Sequence, residues 1–249
     1  WYCKGKLLKN LECYEEAILC FDKVLEINSL NEEAWFKRGL ALKKLERYED
    51  AIISYDKVLQ IKSLNEKAWR SRGIALKYLK CYEDAFASYD KALEMNPSNQ
   101  CTWHNRGYAL WYMKHYEDAV YSYDKALEIK PSCKSLWYNR GIALSSLERY
   151  EEAIDSYNKV LEIDRFDENA WYSKGFALHY LQRYENAVYS YDKALEINPL
   201  NENTWHNRGL ALSHLETYEE AVSSYDKALE IDQFHEDAWY SRGFALHYL

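Results

Sequence analysis

The sequence predicts an all-α protein, a solenoid of about fifteen helices arranged as antiparallel pairs that repeat along the chain. Gly and Pro are scarce, with 8 and 3 among 249 residues, so few of the tight turns that join β-strands can be built. A period of 34 residues runs through the whole chain without an insertion. It is marked by the tryptophans Trp1, Trp35, Trp69, Trp103, Trp137, Trp171, Trp205 and Trp239.

Each period contains two stretches with the spacing of a helix face. We number the period so that the recurrent Trp is position 4, and positions 4, 8 and 11 then share one face of a first helix. Positions 17, 20, 21, 24, 27 and 28 form the apolar stripe of a second helix. Only two or three residues, such as "ERY" or "KCY", separate the stretches, which leaves room for an antiparallel helix pair alone.

Glycine has one place in this pattern, position 8 of the first helix. A Gly inside a helix costs roughly 1 kcal/mol relative to Ala, so its recurrence predicts a point where two helices cross closely. The aromatic residues at positions 4, 17 and 24 are expected to fill the space on either side. The glycines are Gly5, Gly39, Gly73, Gly107, Gly141, Gly175, Gly209 and Gly243.

The repeat boundaries follow from the expected caps. Asn or Asp at position 34 is expected to cap the next first helix, and Pro at position 32 to end the second helix. We predict a single array over residues 1–249, and because the chain opens on Trp1 we expect it to be a fragment of a longer chain. Its repeats are 1–31, 32–65, 66–99, 100–133, 134–167, 168–201 and 202–235, with a half repeat at 236–249.

The pattern resembles the tetratricopeptide repeat (TPR), which has the same period and a W…G…Y…A…F/Y…A…P skeleton. Position 17 is Tyr and position 20 is Ala in every full repeat, and position 24 is Phe21 followed by six Tyr. The resemblance covers the whole chain. It implies a right-handed superhelix whose first helices line a concave groove, and a function as a protein–protein interaction scaffold.

Composition excludes several other classes of protein. No apolar run of about eighteen residues occurs, so we expect no membrane partner, and we also expect no signal peptide. The net charge of −8 argues against a nucleic-acid partner, because an acidic protein repels phosphate groups. The six Cys include no CxxC pair, which is typical of reduced thiols and predicts a cytoplasmic protein.

The sequence contains no motif for catalysis. GxSxG, the Walker motif, GxGxxG and HExxH are all absent, and every Gly is used by the repeat. His179, His214 and His247 are expected on one face of neighbouring first helices, but axes about 8–10 Å apart are too distant for a shared metal ion. We therefore predict a protein that is not an enzyme and holds no cofactor and no metal.

Position 7 is Arg or Lys in all eight repeats, and position 25 is Asp in six of seven. The two helices of a repeat are antiparallel, so if position 8 lies opposite position 24, position 7 lies near position 25. We predict an ion pair within each repeat, such as Arg38–Asp56, which ties the two helices together.

In TPR proteins, positions 2, 5, 6, 9, 12 and 13 commonly line the groove. In the first three repeats these positions carry a single acid, Glu33, among many bases, and this excess predicts attraction of an acidic segment. The bases of this predicted basic end are Lys9, Lys37, Lys43, Lys44, Lys67, Arg70 and Lys77.

From the fourth repeat onward the same positions become aromatic and rich in His and Asn. Rings supply contact area and amides meet backbone groups, so this end suits an extended peptide. At position 9, ligand contact and packing between helices both remain open. The residues of this predicted aromatic end are His104, Asn105, Tyr108, Trp111, Tyr112, Tyr138, Asn139, Tyr172, His179, Tyr180, His206, Asn207, His214, Tyr240 and His247.

The leading hypothesis is a non-catalytic scaffold that binds a protein or peptide segment. Position 9 is never Asn, so the residue set with which some TPR domains grip a chaperone's C-terminal carboxylate is missing. One alternative is an assembly module that associates end to end through residues 236–249, where "WYSRGFALHYL" repeats residues 171–181 in ten of eleven letters without a polar cap. The other is the interaction arm of a larger enzyme or regulator.

Overall fold

Fifteen α-helices and no β-strand make up the structure, a computed structural model that describes all 249 residues. The predicted all-α fold is confirmed. The chain forms two compact units, Trp1–Pro131 and Ser132–Leu249, and each is described by itself. The first unit contains α1 (Tyr2–Asn10), α2 (Tyr14–Ile27), α3 (Glu32–Lys44), α4 (Tyr48–Ile61), α5 (Glu66–Tyr78), α6 (Tyr82–Met95), α7 (Gln100–Tyr112) and α8 (Tyr116–Ile129). The second contains α9 (Lys134–Ser146), α10 (Tyr150–Ile163), α11 (Glu168–Tyr180), α12 (Tyr184–Ile197), α13 (Glu202–His214), α14 (Tyr218–Ile231) and α15 (Glu236–His247).

Within each unit, every helix packs on the next one along the chain, and each first helix also touches the first helix of the next repeat. The turn between the two helices of a repeat is made by one residue at position 15 in the left-handed conformation. Glu46, for example, has φ 60°, and the next N–H, of Arg47, bonds to the carbonyl of Leu42 at 3.0 Å. This residue is Glu, Lys or Gln in every repeat, so no turn-forming Gly marks it in the sequence.

The predicted helix caps are present. The side chains of Asn31, Asn65, Asn99, Asp167 and Asn201 each accept a hydrogen bond from a backbone N–H in the first turn of the helix that follows. Three of these amides also donate to the Glu at position 1 of their own repeat, for instance Asn201 Nδ2 to Glu168 Oε1 at 2.7 Å, while they cap the first helix of the next repeat. One side chain thus caps a helix and links two repeats.

The expected close crossing at glycine is also present. A Cβ built on Gly39 would lie 2.6 Å from Cε1 of Tyr55, which is fully buried against the Gly backbone. The same distance is 2.5 to 2.7 Å at the five repeats that follow. Position 8 therefore has to be Gly because the Tyr ring at position 24 occupies the volume of its side chain.

The predicted ion pair between Arg38 and Asp56 is wrong. Arg38 Nε donates to Asp22 of the preceding repeat at 2.6 Å, and its Nη1 donates to Ser54 Oγ of its own repeat at 2.8 Å. Asp56 pairs with Arg72 of the next repeat at 2.7 Å. The side chain at position 24 faces the first helix of its own repeat. Position 25 follows it on the helix and points about 100° away, so its Asp faces the next repeat instead.

The glycine crossing makes a prediction with an internal control, because Gly175 and Gly243 lie in nearly identical segments. A Cβ on Gly175 would lie 2.7 Å from Cε1 of Tyr191, whereas nothing lies within 4 Å of a Cβ on Gly243. We expect Gly175→Ala to destabilise the protein by about 1–3 kcal/mol through overpacking. Gly243→Ala should be neutral or stabilise α15 by up to roughly 1 kcal/mol.

Thermal unfolding followed by circular dichroism, with amide hydrogen exchange of α15, measures both effects. A Gly175→Ala protein that unfolds at the wild-type temperature would contradict the packing argument.

Candidate functional site

A cluster of positive charge lies on the first helices of the unit Trp1–Pro131. Lys43 of α3 and Lys77 of α5 both occupy position 12, and both are half-buried. Burial lowers the pKa of Lys43, and the charges of Lys44 and Arg70 lower it further. Burial and the nearby Lys43 lower the pKa of Lys77 in the same way. The two ammonium groups are thus close enough to repel each other.

Very little in the unit neutralises this cluster. Lys77 Nζ donates to Asn105 Oδ1 at 2.9 Å and lies 5.0 Å from the ring centroid of Tyr108, both of which are uncharged partners. Lys43 makes neither a hydrogen bond nor an ion pair. Arg70 alone has a carboxylate, Glu66, at 3.0 Å. We call Lys43, Arg70 and Lys77 the basic cluster.

The other predicted bases are not gathered into this cluster. Lys37 and Lys67 line a separate groove of about 590 Å³ whose walls also include Glu32 and Glu33. Lys44 is exposed beside Lys43, and Lys9 on α1 makes no hydrogen bond or ion pair. The structure therefore places the uncompensated charge at position 12, whereas bases at positions 2 and 6 stand next to acids.

His104 and Asn105 border the basic cluster. Burial lowers the pKa of His104, and the charge of Lys77 lowers it further, so both favour the neutral imidazole. Asn105 accepts from Lys77 and donates its own Nδ2 to the carbonyl of Cys101 at 2.7 Å. This predicted pair belongs to the same surface as the lysines rather than to a distinct aromatic end.

Aromatic residues at position 13 have a packing role in addition to the predicted place in the groove. Each stacks on the Tyr at position 17 of the preceding repeat, as Tyr82 does with Tyr112 at 4.5 Å between ring centroids and Tyr184 with His214 at 4.5 Å. Tyr48–Tyr78, Tyr150–Tyr180 and Tyr218–Tyr248 repeat the arrangement. One face of each ring is covered while about half of the side chain stays exposed, as the 54% exposure of Tyr180 shows.

Aromatic residues at position 5 pack at an angle against the buried ring at position 24 of their own repeat. The centroid distances are 6.1 Å for His104–Tyr123, 6.0 Å for Tyr138–Tyr157 and Tyr172–Tyr191, and 5.8 Å for His206–Tyr225. Tyr240 differs because it is 79% exposed. Position 5 forms the floor of the first-helix face and offers only part of each ring to a ligand.

The asparagines and tryptophan of the predicted site are half-buried. Asn207 Nδ2 donates to the hydroxyl of Tyr172 in the preceding repeat at 2.9 Å. Asn139 on α9 is half-buried at the equivalent position. Trp111 packs edge-on against Tyr112 at 5.0 Å, next to Tyr108.

The predicted histidine row is only partly assembled. His179 and His214 lie 5.3 Å apart between ring centroids, and burial together with His214 lowers the pKa of His179. His247 contacts Tyr248 instead. No group of three His, Cys, Asp or Glu side chains is placed so that it could hold a metal ion.

Family models of the tetratricopeptide repeat match nearly the whole chain. One matches residues 66–99, 101–133, 135–167 and 168–201, and three others match 32–65, 190–223 and 1–29. The chain belongs to the tetratricopeptide-repeat family. No curated protein sequence is similar enough to count as a relative of this TPR chain.

Solved structures share the TPR fold. A crystal structure of YrrB, described as a TPR protein with an unusual peptide-binding site, is 23% identical with a TM-score of 0.68, over 76% of this chain and 97% of that chain. The C-terminal part of a TPR protein from Cytophaga hutchinsonii is 16% identical with a TM-score of 0.80, over 97% and 99% of the two chains. A MamA structure is 22% identical, with a TM-score of 0.65 over 68% and 92%.

These comparisons support a fold that typically serves as a protein-interaction scaffold. None of the fifteen helices is both long enough and apolar enough to cross a membrane. The repeats of this TPR protein share their framework positions, whereas the residues of the first-helix face vary from one repeat to the next.

The environment of the basic cluster predicts a measurable order of titration. Burial and like charges lower the pKa of Lys77, whereas the hydrogen bond with Glu128 raises the pKa of Lys125 on α8. With lysines tagged by ¹³C-methylation and followed by NMR, Lys77 and Lys43 should deprotonate at lower pH than Lys125. Lys77 titrating together with Lys125 or after it would show that the cluster is not desolvated.

Proposed function

We propose that this TPR protein is a non-catalytic scaffold that binds an extended protein segment along its first helices. The segment places acidic side chains on the basic cluster of the first unit. The observation that carries this proposal is the pair of half-buried lysines, Lys43 and Lys77, with lowered pKa values and no carboxylate partner.

Half-buried ammonium groups without counter-ions are unfavourable in the free protein. A Glu or Asp side chain between them would form charge-assisted hydrogen bonds with both and remove their mutual repulsion. The protein as a whole carries a net charge of −8, so an acidic segment is repelled elsewhere and is directed to this patch. The cluster thus selects both the ligand and its position.

The aromatic residues of the first-helix face support the same function. Tyr108 and Tyr112 lie 4.8 Å apart between ring centroids beside the basic cluster, and Tyr112 keeps 44% of its surface exposed. Rings held by packing lose little entropy when a ligand covers them. The description of YrrB as peptide-binding adds support from a TPR protein of the same fold.

Self-association through residues 236–249 is the second candidate. On α15, Trp239, Phe244 and Leu246 are 52%, 51% and 44% exposed, and Gly243 has nothing within 4 Å of its Cβ position. Light scattering as a function of concentration tests this candidate, and a strict monomer at high concentration would exclude it.

Charge reversal tests the acidic-segment proposal. A peptide array rich in Asp and Glu provides the probe, and fluorescence anisotropy at several salt concentrations measures its binding. We expect Lys43→Glu/Lys77→Glu to weaken the best acidic peptide about tenfold or more and to flatten the salt dependence.

The matched control is Lys57→Glu/Lys91→Glu, which changes the net charge equally on exposed sites of α4 and α6. Equal losses in the two double variants would mean that net charge alone drives binding and would overturn the proposal.

A neutral substitution separates a binding role from a structural one. Lys43→Met removes a charge that makes no hydrogen bond or ion pair, while keeping the length of the side chain. We expect the melting temperature to stay the same or rise, because a desolvated charge is lost, while affinity for the acidic peptide falls. A drop in both would indicate that Lys43 supports the fold instead.

A further inference from the structure

The unit Ser132–Leu249 contains two pockets that are copies of each other. The first, of about 440 Å³, is lined by α9, α10 and α11, and the second, of about 470 Å³, by α13, α14 and α15. Each residue that lines the second pocket lies 68 positions, or two repeats, after a residue that lines the first. The lining residues are the same or similar, except that His214 stands where the first pocket has Ser146.

The polar floor is conserved between the two pockets. In the first, Ser145 Oγ lies 3.1 Å from the hydroxyl of Tyr157, and in the second, Ser213 Oγ lies 3.0 Å from the hydroxyl of Tyr225. A serine of the next repeat completes each floor. Ser173 Oγ lies 3.4 Å from the Tyr138 hydroxyl, and Ser241 Oγ lies 3.4 Å from His206 Nε2. Each pocket therefore ends in three hydroxyl groups.

The apolar wall is conserved as well. Phe176 packs against Tyr180 at 4.7 Å, and Tyr180 stacks on Tyr150 at 5.1 Å. In the second pocket Phe244 and Tyr218 take the equivalent places in the lining, and both contact Tyr248, with centroid distances of 4.8 Å for Phe244–Tyr248 and 5.3 Å for Tyr218–Tyr248. Both pockets are thus lined by rings that packing already holds in place.

Each pocket carries an unpaired carboxylate. Glu148 lines the first and Glu216 the second, both with φ 59° in the left-handed turn, and both exposed. Neither forms an ion pair, and no Lys or Arg lines either pocket. None of the predicted groove positions in this unit is Lys or Arg, in contrast to the basic cluster of the other unit.

The repeat pair between the two pockets is built differently. His179 stands at the position of Ser145 and Ser213, and its ring contacts Tyr184 and His214, each at 5.3 Å between centroids. The space there is smaller, about 290 Å³. Serine at position 12 therefore leaves a larger pocket, and histidine there leaves a smaller one.

Resting on the proposed scaffold function, we infer that the two pockets are equivalent subsites for two long cationic side chains, Lys or Arg, of one extended segment. The methylene groups of such a side chain cover the aromatic wall, and the charged end meets ring faces, hydroxyl oxygens and an unpaired carboxylate. An acidic side chain would meet Glu148 or Glu216 with no Lys or Arg among the residues that line the pocket.

The spacing of the two side chains follows from the helix geometry. The pockets are separated by two steps between neighbouring first helices, each about 8–10 Å, and so by roughly 20 Å. An extended chain advances about 3.3 Å per residue, so the two cations are about six residues apart. Simultaneous occupation raises the affinity well above that of either pocket alone, because the second contact is intramolecular.

Labelled synthetic peptides provide the test by fluorescence anisotropy. The probe is a Gly/Ser peptide with two Lys residues about six positions apart, compared with a peptide of one Lys and with one whose two Lys are about three positions apart. We expect the six-spaced peptide to bind at least about tenfold more tightly than the other two. Equal binding of all three peptides, or no binding, would overturn the inference.

Two kinds of variant tie the binding to the pockets. Ser145→His and Ser213→His introduce the residue that the intervening repeat carries at position 12. Each should lower the affinity for the six-spaced peptide to that for the one-Lys peptide. Glu148→Gln and Glu216→Gln should each weaken binding without filling a pocket. Asp155→Asn, at an exposed residue of α10 that lines neither pocket, is the control with the same charge change. If Asp155→Asn weakened peptide binding as much as Glu148→Gln, net charge alone would explain the loss, and the inference would be overturned.

The acidic peptide of the previous section distinguishes the two proposals. If it binds the basic cluster while the six-spaced cationic peptide does not bind, the scaffold function stands and the paired subsites are rejected.

Discussion

The contact between the Gly backbone at position 8 and the Tyr ring at position 24 is the constraint on which the rest of this structure depends. A Cβ on Gly141 would lie 2.5 Å from Cε1 of Tyr157, so the two helices of a repeat can approach only where no side chain stands between them. The crossing places position 5 against the same ring, as in Tyr138–Tyr157. It also puts position 12 within reach of the ring's hydroxyl, as the 3.1 Å contact with Ser145 shows. The Gly–Tyr contact in the core thus also positions the residues at positions 5 and 12 that form the floor of the first-helix face.

Repeats are joined by side chains that serve two neighbours at once. Arg106 donates to Asp90 of the preceding repeat and to Ser122 of its own, and Asn99 caps α7 while it donates to Glu66. Because these contacts recur with little change, adjoining first helices keep one register within each unit. The outward positions of the first helices are then free to vary without loss of packing, so that one unit carries lysines and the other carries rings and hydroxyls.

The period predicted helix number, the glycine crossing and the Asn caps, since all of these are decided within 34 residues. The period does not determine whether a residue on the side of a helix contacts the other helix of its own repeat or a helix of the adjacent repeat. For this reason the sequence pattern predicts a pair between Arg38 and Asp56, whereas Arg38 pairs with Asp22, and it predicts groove positions for the rings at position 13, which also stack on the preceding repeat. The coincidence of aromatic residues at positions 13 and 17 was a signal for that stacking. No signal existed for the left-handed Glu46, because Gly, which would mark such a turn, is confined to position 8.

Position 12 decides what the first-helix face can hold. It lies beside the position-24 hydroxyl but outside the core, so its side chain changes the surface without disturbing the Gly–Tyr contact. Lysine there, as in Lys77, adds a desolvated charge, serine leaves a hydroxyl-floored pocket, and His179, which packs on Tyr184, leaves a smaller one. The residue at position 12 therefore differs between the two units, with lysine or tryptophan in the first and serine or histidine in the second. A substitution at position 12 can thus change what the first-helix face offers a ligand while the Gly–Tyr contact of the same repeat is kept.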